Sequence, residues 1–230
     1  MRINIGCGAT PTDGWTNLDN SLTVRVARWP VLVRLLSKAK VLDEQSCEFA
    51  EVAIKGNIRY ANASQHIPYA DNSVEVIYSS HMIEHLDRSE AKAFLLEARR
   101  ILRPGGRIRL AVPDLALLVQ EYLETGDADQ LIDRTHMSHG RPRGFSSRLK
   151  ATIVGPRRHL WMYDGPSLSK LLVNSGFADA RIMPAGVTSI ENPGGLDLAE
   201  RSRESVYVEA VCSFGEDAGN DVAERSRQRV

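Results

Sequence analysis

The chain has 230 residues, of which 43% are hydrophobic, and its 29 basic and 29 acidic side chains cancel. That is enough for one α/β domain with a sizeable core, and the neutral balance creates no bulk attraction to nucleic acid. Cys7, Cys47 and Cys212 are too scattered for a disulfide or metal framework, and neither a leader peptide nor a long uncharged apolar run is visible; a cytoplasmic protein is expected.

In chain order, Arg2–Ile5 reads as a buried strand that ends in the glycine turn Gly6-Cys7-Gly8. Trp15–Leu18 is a second strand, with Asp19 at its end. Val31–Leu42 is a helix carrying Leu32, Leu35, Leu36 and Ala39 on one face. Asn57–Ala61 is a third strand. Val74–Ser79 is a fourth, after the turn at Ala70–Ser73. Ser89–Leu102 is a helix capped by Ser89 and stopped by Pro104-Gly105-Gly106, and Arg107–Val112 is the next strand. Leu115–Leu123 is helical, 125–163 is loop-rich, Pro166–Ser175 is a helix closed by Gly176, and Ala180–Met183 and Ser205–Cys212 are the last strands. The alternation predicts a mostly parallel sheet with helices on both faces, over 1–214, and a disordered polar tail over 215–230.

A glycine turn after the first strand lets backbone approach a ligand closely, and a carboxylate at the end of the second strand can accept from both hydroxyls of a ribose. The turn lacks the third glycine of a dinucleotide fingerprint, which argues against a nicotinamide oxidoreductase. Further on stand Asn62-Ala63, Ile67-Pro68-Tyr69, Asp71-Asn72-Ser73, then Ser80-His81 with Glu84-His85-Leu86, then Leu102-Arg103-Pro104-Gly105-Gly106. In this order the pieces resemble the type 11 group of class I S-adenosylmethionine (SAM) dependent methyltransferases. His159–Asp164 and Gly176-Phe177 extend the likeness to about residue 183.

The resemblance implies a Rossmann-like sheet of seven strands and SAM as cofactor. It implies that Gly6, Cys7 and Gly8 face the amino-acid part of SAM and that Asp19 holds the ribose. Asn62 and Ala63 would meet the adenine, and Ser79, Ser80 and His81 would lie near the transferred methyl. Two features depart from the family's pattern. Asn62 replaces the usual aspartate, and only ten residues separate Gly8 from Asp19, too few for the usual first helix. Part of that helix's role is expected to pass to Val31–Leu42.

Methyl transfer needs alignment of nucleophile and methyl, and a hydroxyl acceptor also needs a base. His81 and His159 are the candidate catalytic residues. His81, Glu84 and His85, at i, i+3 and i+4, are similar to an E-x-x-E-H element that binds metal in some methyltransferases. No metal is assigned here, because E-H-L recurs in type 11 members without one. Asn20–Leu42 and Arg134–Tyr163 contain no acid but many Arg and Lys, within insertions at about 20–56 and 125–163. They are expected to face each other over the methyl end. They point to an anionic acceptor, such as a lipid-linked sugar, with peripheral membrane contact. The resemblance implies a small-molecule or glycan acceptor, in cell-surface polysaccharide or lipid-linked sugar metabolism. An RNA acceptor and a SAM-binding protein without turnover are the alternatives.

Overall fold

A computed structural model describes residues 1–39, 42, 44–137 and 158–213. Its elements are β1 (Arg2–Ile5), β2 (Thr16–Asp19), α1 (Leu22–Ala27), α2 (Pro30–Lys38), α3 (Glu44–Lys55), β3 (Arg59–Tyr60) and β4 (Val74–Ser80). After a 3-10 turn (Ile83–His85) come α4 (Arg88–Ile101), β5 (Leu102–Pro113), α5 (Leu115–Thr125), α6 (Ala128–Arg134), α7 (Gly165–Asn174), β6 (Phe177–Met183) and β7 (Ser205–Cys212). The seven strands form one sheet in the order β3-β2-β1-β4-β5-β7-β6. The first five strands pair in parallel, and β7 runs antiparallel to β5 and β6.

Alternation along the strands sends side chains to two faces. On one face Ile3, Ile5, Ile77 and Ile108 pack with Phe94, Leu95 and Ala98 of α4 and Leu168 and Leu172 of α7. The opposite face is covered in two ways. Near β1, Cys7 packs with Val24 and Ala27 of α1 and Ala50 and Ala53 of α3. Beneath β4, Val76 and Tyr78 meet Ile190 and Leu196 of the long connection between β6 and β7. Helices therefore lie on both faces, but part of the second face is roofed by a segment without helix.

The short link between β1 and β2 is held by a polar network instead of a helix. Buried Asn4 donates from Nδ2 to Thr12 Oγ1 at 3.0 Å, the Thr12 amide donates to Asn17 Oδ1 at 2.8 Å, and Asn17 Nδ2 returns to the Thr12 carbonyl at 3.1 Å. These bonds satisfy groups that a helix would otherwise have paired. The missing helix's packing is supplied by α1 and α3, whereas α2, which covers less of Val31–Leu42 than expected, contributes only half-buried Val33 to that cluster.

Several elements differ from the sequence reading, among them β5, which starts at Leu102, and β6, which starts at Phe177. α3 was not anticipated, because its buried face is Ser46, Ala50 and Ala53 and lacks the large apolar spacing that marks a helix. α1 and α6 are also additional, each about two turns long. α4 begins earlier than Ser89: Asp87 is the cap, accepting from the Ser89 and Glu90 amides, while the Glu90 side chain closes a capping box on the Asp87 amide. The expected disordered tail lies outside the described residues, as does most of the basic stretch Arg134–Tyr163. Among the described residues, no helix is long and apolar enough to cross a membrane.

Candidate active site

The parallel strands bring their carboxyl ends to one edge, where an open α/β sheet binds ligands. At the end of β1, Gly6 and Gly8 take left-handed backbone, with φ of +69° and +49°. At Gly6 a side chain would also strike Met82, whose Cγ lies 2.4 Å from where a Cβ would stand. At Gly8 the same position opens into space with nothing within 4 Å. The Gly6 and Cys7 amides donate to the Leu18 carbonyl at 2.8 and 3.1 Å, locking the turn to β2. The Cys7 thiol is buried, and its acidity is suppressed by that burial and by Asp19.

Asp19 joins this turn to the next. Its Oδ2 accepts from the Gly8 amide at 3.1 Å and its Oδ1 from the Ser21 amide at 2.7 Å. Burial raises its carboxyl, and those two backbone bonds oppose the shift. Each oxygen keeps a lone pair for a ribose hydroxyl. Beside it lies a cavity of about 500 Å³, lined by Leu18, Arg25, Arg28, Tyr60, Pro68 and Tyr69 among others. Tyr60 pairs in register with Asp19, and the Arg25 guanidinium lies 5.0 Å above its ring. The open space at Gly8, the remaining lone pairs of Asp19 and this partly aromatic cavity fit the adenosine and amino-acid parts of SAM.

The loop carrying Asn62 and Ala63 is clamped from α4. Glu97 Oε2 accepts from the Ile67 amide at 2.8 Å, and Arg100 donates to the Ile67 and Tyr69 carbonyls, both at 2.9 Å. The Arg100 hydrogen bond holds the Glu97 carboxyl far below its ordinary range, at about 2. Asn62 Oδ1 already accepts from the Ser64 amide and hydroxyl, at 3.2 and 2.9 Å. What Asn62 has left is its NH2, a donor, where the aspartate usual in the family could only accept.

At the end of β4 the buried hydroxyls of Ser79 and Ser80 have no hydrogen-bond partner among the described residues. His81 then leaves the strand in left-handed backbone, φ +48°, a conformation that costs a non-glycine residue energy and recurs at functional sites. Its Nε2 stands 2.9 Å from Ser205 Oγ and its Nδ1 3.4 Å from Glu84 Oε1. Glu84 is wholly buried, and neither of its oxygens accepts a hydrogen bond among the described residues. His159 is brought to the same carboxylate, with Nε2 4.0 Å from Oε1. The Leu160 amide donates to the Glu84 carbonyl at 2.7 Å, which pins that strand of chain to the 3-10 turn. Burial holds the His159 imidazolium well below its usual range, at about 4, although Glu84 opposes the shift.

The two expected catalytic histidines therefore meet on one buried carboxylate. Glu84 was legible from the sequence only as part of a helical triplet. Ser205 carried no signal, since it comes from β7, 124 residues beyond His81. The cavity near Asp19 lies at the β2 and β3 ends of the sheet, two to three strand spacings, or about 10–14 Å, from β4. Arg25 and Arg28 line that cavity and not the end of β4.

Residues 4–110 match the family model described as a methyltransferase domain. An uncharacterised protein in a transposon of Streptomyces fradiae is 26% identical over 125 residues, covering 54% of this chain and 29% of that protein. The aligned stretch thus spans well under half of the relative's length. Among solved structures, a SAM-dependent methyltransferase of Thermotoga maritima, described as a possible histamine N-methyltransferase, is 15% identical with a TM-score of 0.50, over 92% of this chain and 81% of that one. A SAM-dependent methyltransferase of Methanosarcina mazei is 14% identical with a TM-score of 0.51, over 93% and 92%. These two share the fold.

Proposed function

We propose that this chain, which belongs to the class I SAM-dependent methyltransferases, transfers the methyl group to an anionic small-molecule or glycan acceptor. The observation that carries the reading is the carboxylate of Asp19, tied to the Gly8 amide beside an open cavity, with Ser79, Ser80 and His81 ending the strand two places along the sheet. SAM supplies a methyl group on a sulfonium, ready for in-line displacement. The chain's own work is to hold the donor, exclude water and align the acceptor.

His81 is the favoured proton acceptor, because a carboxylate faces one ring nitrogen and a hydroxyl the other. His159 is poorly suited to be a base, since its burial disfavours protonation. Support for an anionic acceptor is the acid-free, arginine-rich stretch Arg134–Tyr163, which includes His159 beside Glu84. Phosphate or carboxylate suits a guanidinium fork. Presentation at a membrane surface is supported by α2 and its approach, where Trp29, Val31 and Leu35 are exposed beside Arg28, Arg34 and Lys38.

Calorimetry with S-adenosylhomocysteine tests the cofactor, and absence of binding sinks the reading. Transfer of labelled methyl to phosphorylated and carboxylated sugars, with neutral sugars as controls, tests the acceptor. Equal turnover of charged and neutral acceptors rejects the anionic preference. Sedimentation with vesicles containing anionic lipid tests the membrane contact, which fails if Trp29→Ala with Leu35→Ala leaves binding unchanged.

A further inference from the structure

Burying a carboxylate without a hydrogen bond is expensive, and a folded protein keeps such a group only where something compensates the charge. Glu84 is such a group, at 0% exposure. Around it stand imidazoles and no lysine or arginine within ion-pair distance among the described residues: His81 and His159 face its Oε1 at 3.4 and 4.0 Å. The His85 and His159 rings lie 5.0 Å apart, edge to face, and His136 lies 5.3 Å from His159. One ligand atom each from Glu84, His85 and His159 falls within 4.8 Å of the others.

We infer that Glu84, His85 and His159 form a binding site for a first-row divalent transition metal, beside the end of β4. Three features of the page point the same way. The carboxylate has both oxygens unassigned. The His85 Nδ1 is engaged with the Arg158 carbonyl at 3.0 Å, which fixes the tautomer and leaves Nε2 as an acceptor for an ion. His159 is buried, and its Nδ1 has no partner among the described residues. Two imidazoles and one carboxylate suit Zn²⁺ or its neighbours, with a coordination position left open, and suit Mg²⁺ and Ca²⁺ poorly. Bonds of about 2.1 Å bring tetrahedral ligands to about 3.4 Å from one another, so the side chains close by about 1 Å on the ion. His85 is only half buried and gives the ion a path from solvent. His81 stays outside the ligand set, with its Nδ1 3.4 Å from Glu84 Oε1.

The test uses the full chain without an affinity tag, stripped with chelator and titrated with Co²⁺ at neutral pH. The d–d absorption of the bound ion and elemental analysis after gel filtration are read together. One Co²⁺ per chain is expected, displaced by Zn²⁺. His85→Ala and His159→Ala should each weaken Co²⁺ affinity by more than about 100-fold. His85→Ala leaves S-adenosylhomocysteine binding unchanged, which shows that the variant is folded. The inference is overturned if protein that binds S-adenosylhomocysteine retains no stoichiometric Co²⁺, if Mg²⁺ is retained in preference to Co²⁺, or if both variants bind as wild type does. Loss of S-adenosylhomocysteine binding with Co²⁺ binding intact would count against the methyltransferase reading alone.

Discussion

Among the described residues two carboxylates are buried beside the sheet, and the chain treats them in opposite ways. Glu209, in the middle of β7, is saturated. Its Oε1 accepts from Arg109 and from the Thr188 hydroxyl, both at 2.6 Å, and its Oε2 accepts from the Ser189 amide at 2.8 Å and from the Ser189 hydroxyl. Arg109 is as deeply buried, stacks 4.8 Å over the Tyr207 ring, and donates onward to the Val187 and Leu198 carbonyls. Burial pushes the Glu209 carboxyl up, and these bonds outweigh it and hold the group below its ordinary range. This pair is what fastens the helix-free connection over the second face of the sheet. Glu84 has equal burial and no hydrogen bond, with ligand-type imidazoles around it. A buried charge with all its lone pairs used is a structural tie. One left open among titratable groups at the catalytic edge is kept for something that binds there.

Breaking the saturated pair gives the largest effect. Glu209→Ala strands Arg109 in the interior and should cost about 3–5 kcal/mol, read as a fall in the denaturant midpoint. If the loss is below about 1 kcal/mol, the pair is not the tie described.

Asp19 lies between the two cases, holding two backbone donors and two spare lone pairs. Asp19→Ala should weaken S-adenosylhomocysteine binding by roughly 1.5–3 kcal/mol, measured by calorimetry. Unchanged affinity would remove Asp19 from the ribose role. Gly8→Val should abolish binding, because the side chain enters the open space and the left-handed backbone resists it.

Replacing the open carboxylate should matter far less than replacing the closed one. Glu84→Gln in metal-free protein should change stability by less than about 1 kcal/mol, since no hydrogen bond to that carboxylate is lost. A fall as large as that of Glu209→Ala would erase the contrast.

The smallest effect is the pH response of the clamp on the loop carrying Asn62 and Ala63. Glu97 has a folded pKa of about 2, below the ordinary carboxylate value, so it binds fewer protons folded than unfolded. Its contribution is complete above about pH 4.5 and fades as pH falls towards 2. Arg100→Met should flatten that part of the curve in acid titrations followed by circular dichroism. An identical acid limb in the variant would show that the clamp is not what titrates.

The strands, and the helices with large apolar stripes, were legible because periodicity reports burial directly. β7 and the core of α4 follow that rule, as does the glycine turn that must precede a ligand edge. The short β1–β2 link was visible as a count of residues, but its solution was not. Asn4, Thr12 and Asn17 close it through side-chain bonds that no local pattern announces, and α3 supports it with alanines too small to mark a face. The site divides in the same way. The positions of Gly6, Gly8, Asp19 and His81 at strand ends follow from the order of motifs along the chain. The meeting of Glu84 with His159, the arrival of Ser205 at His81 and the separation of Arg25 from the end of β4 were decided by tertiary structure. They depend on sheet order and strand spacing, which bring together residues from distant parts of the chain.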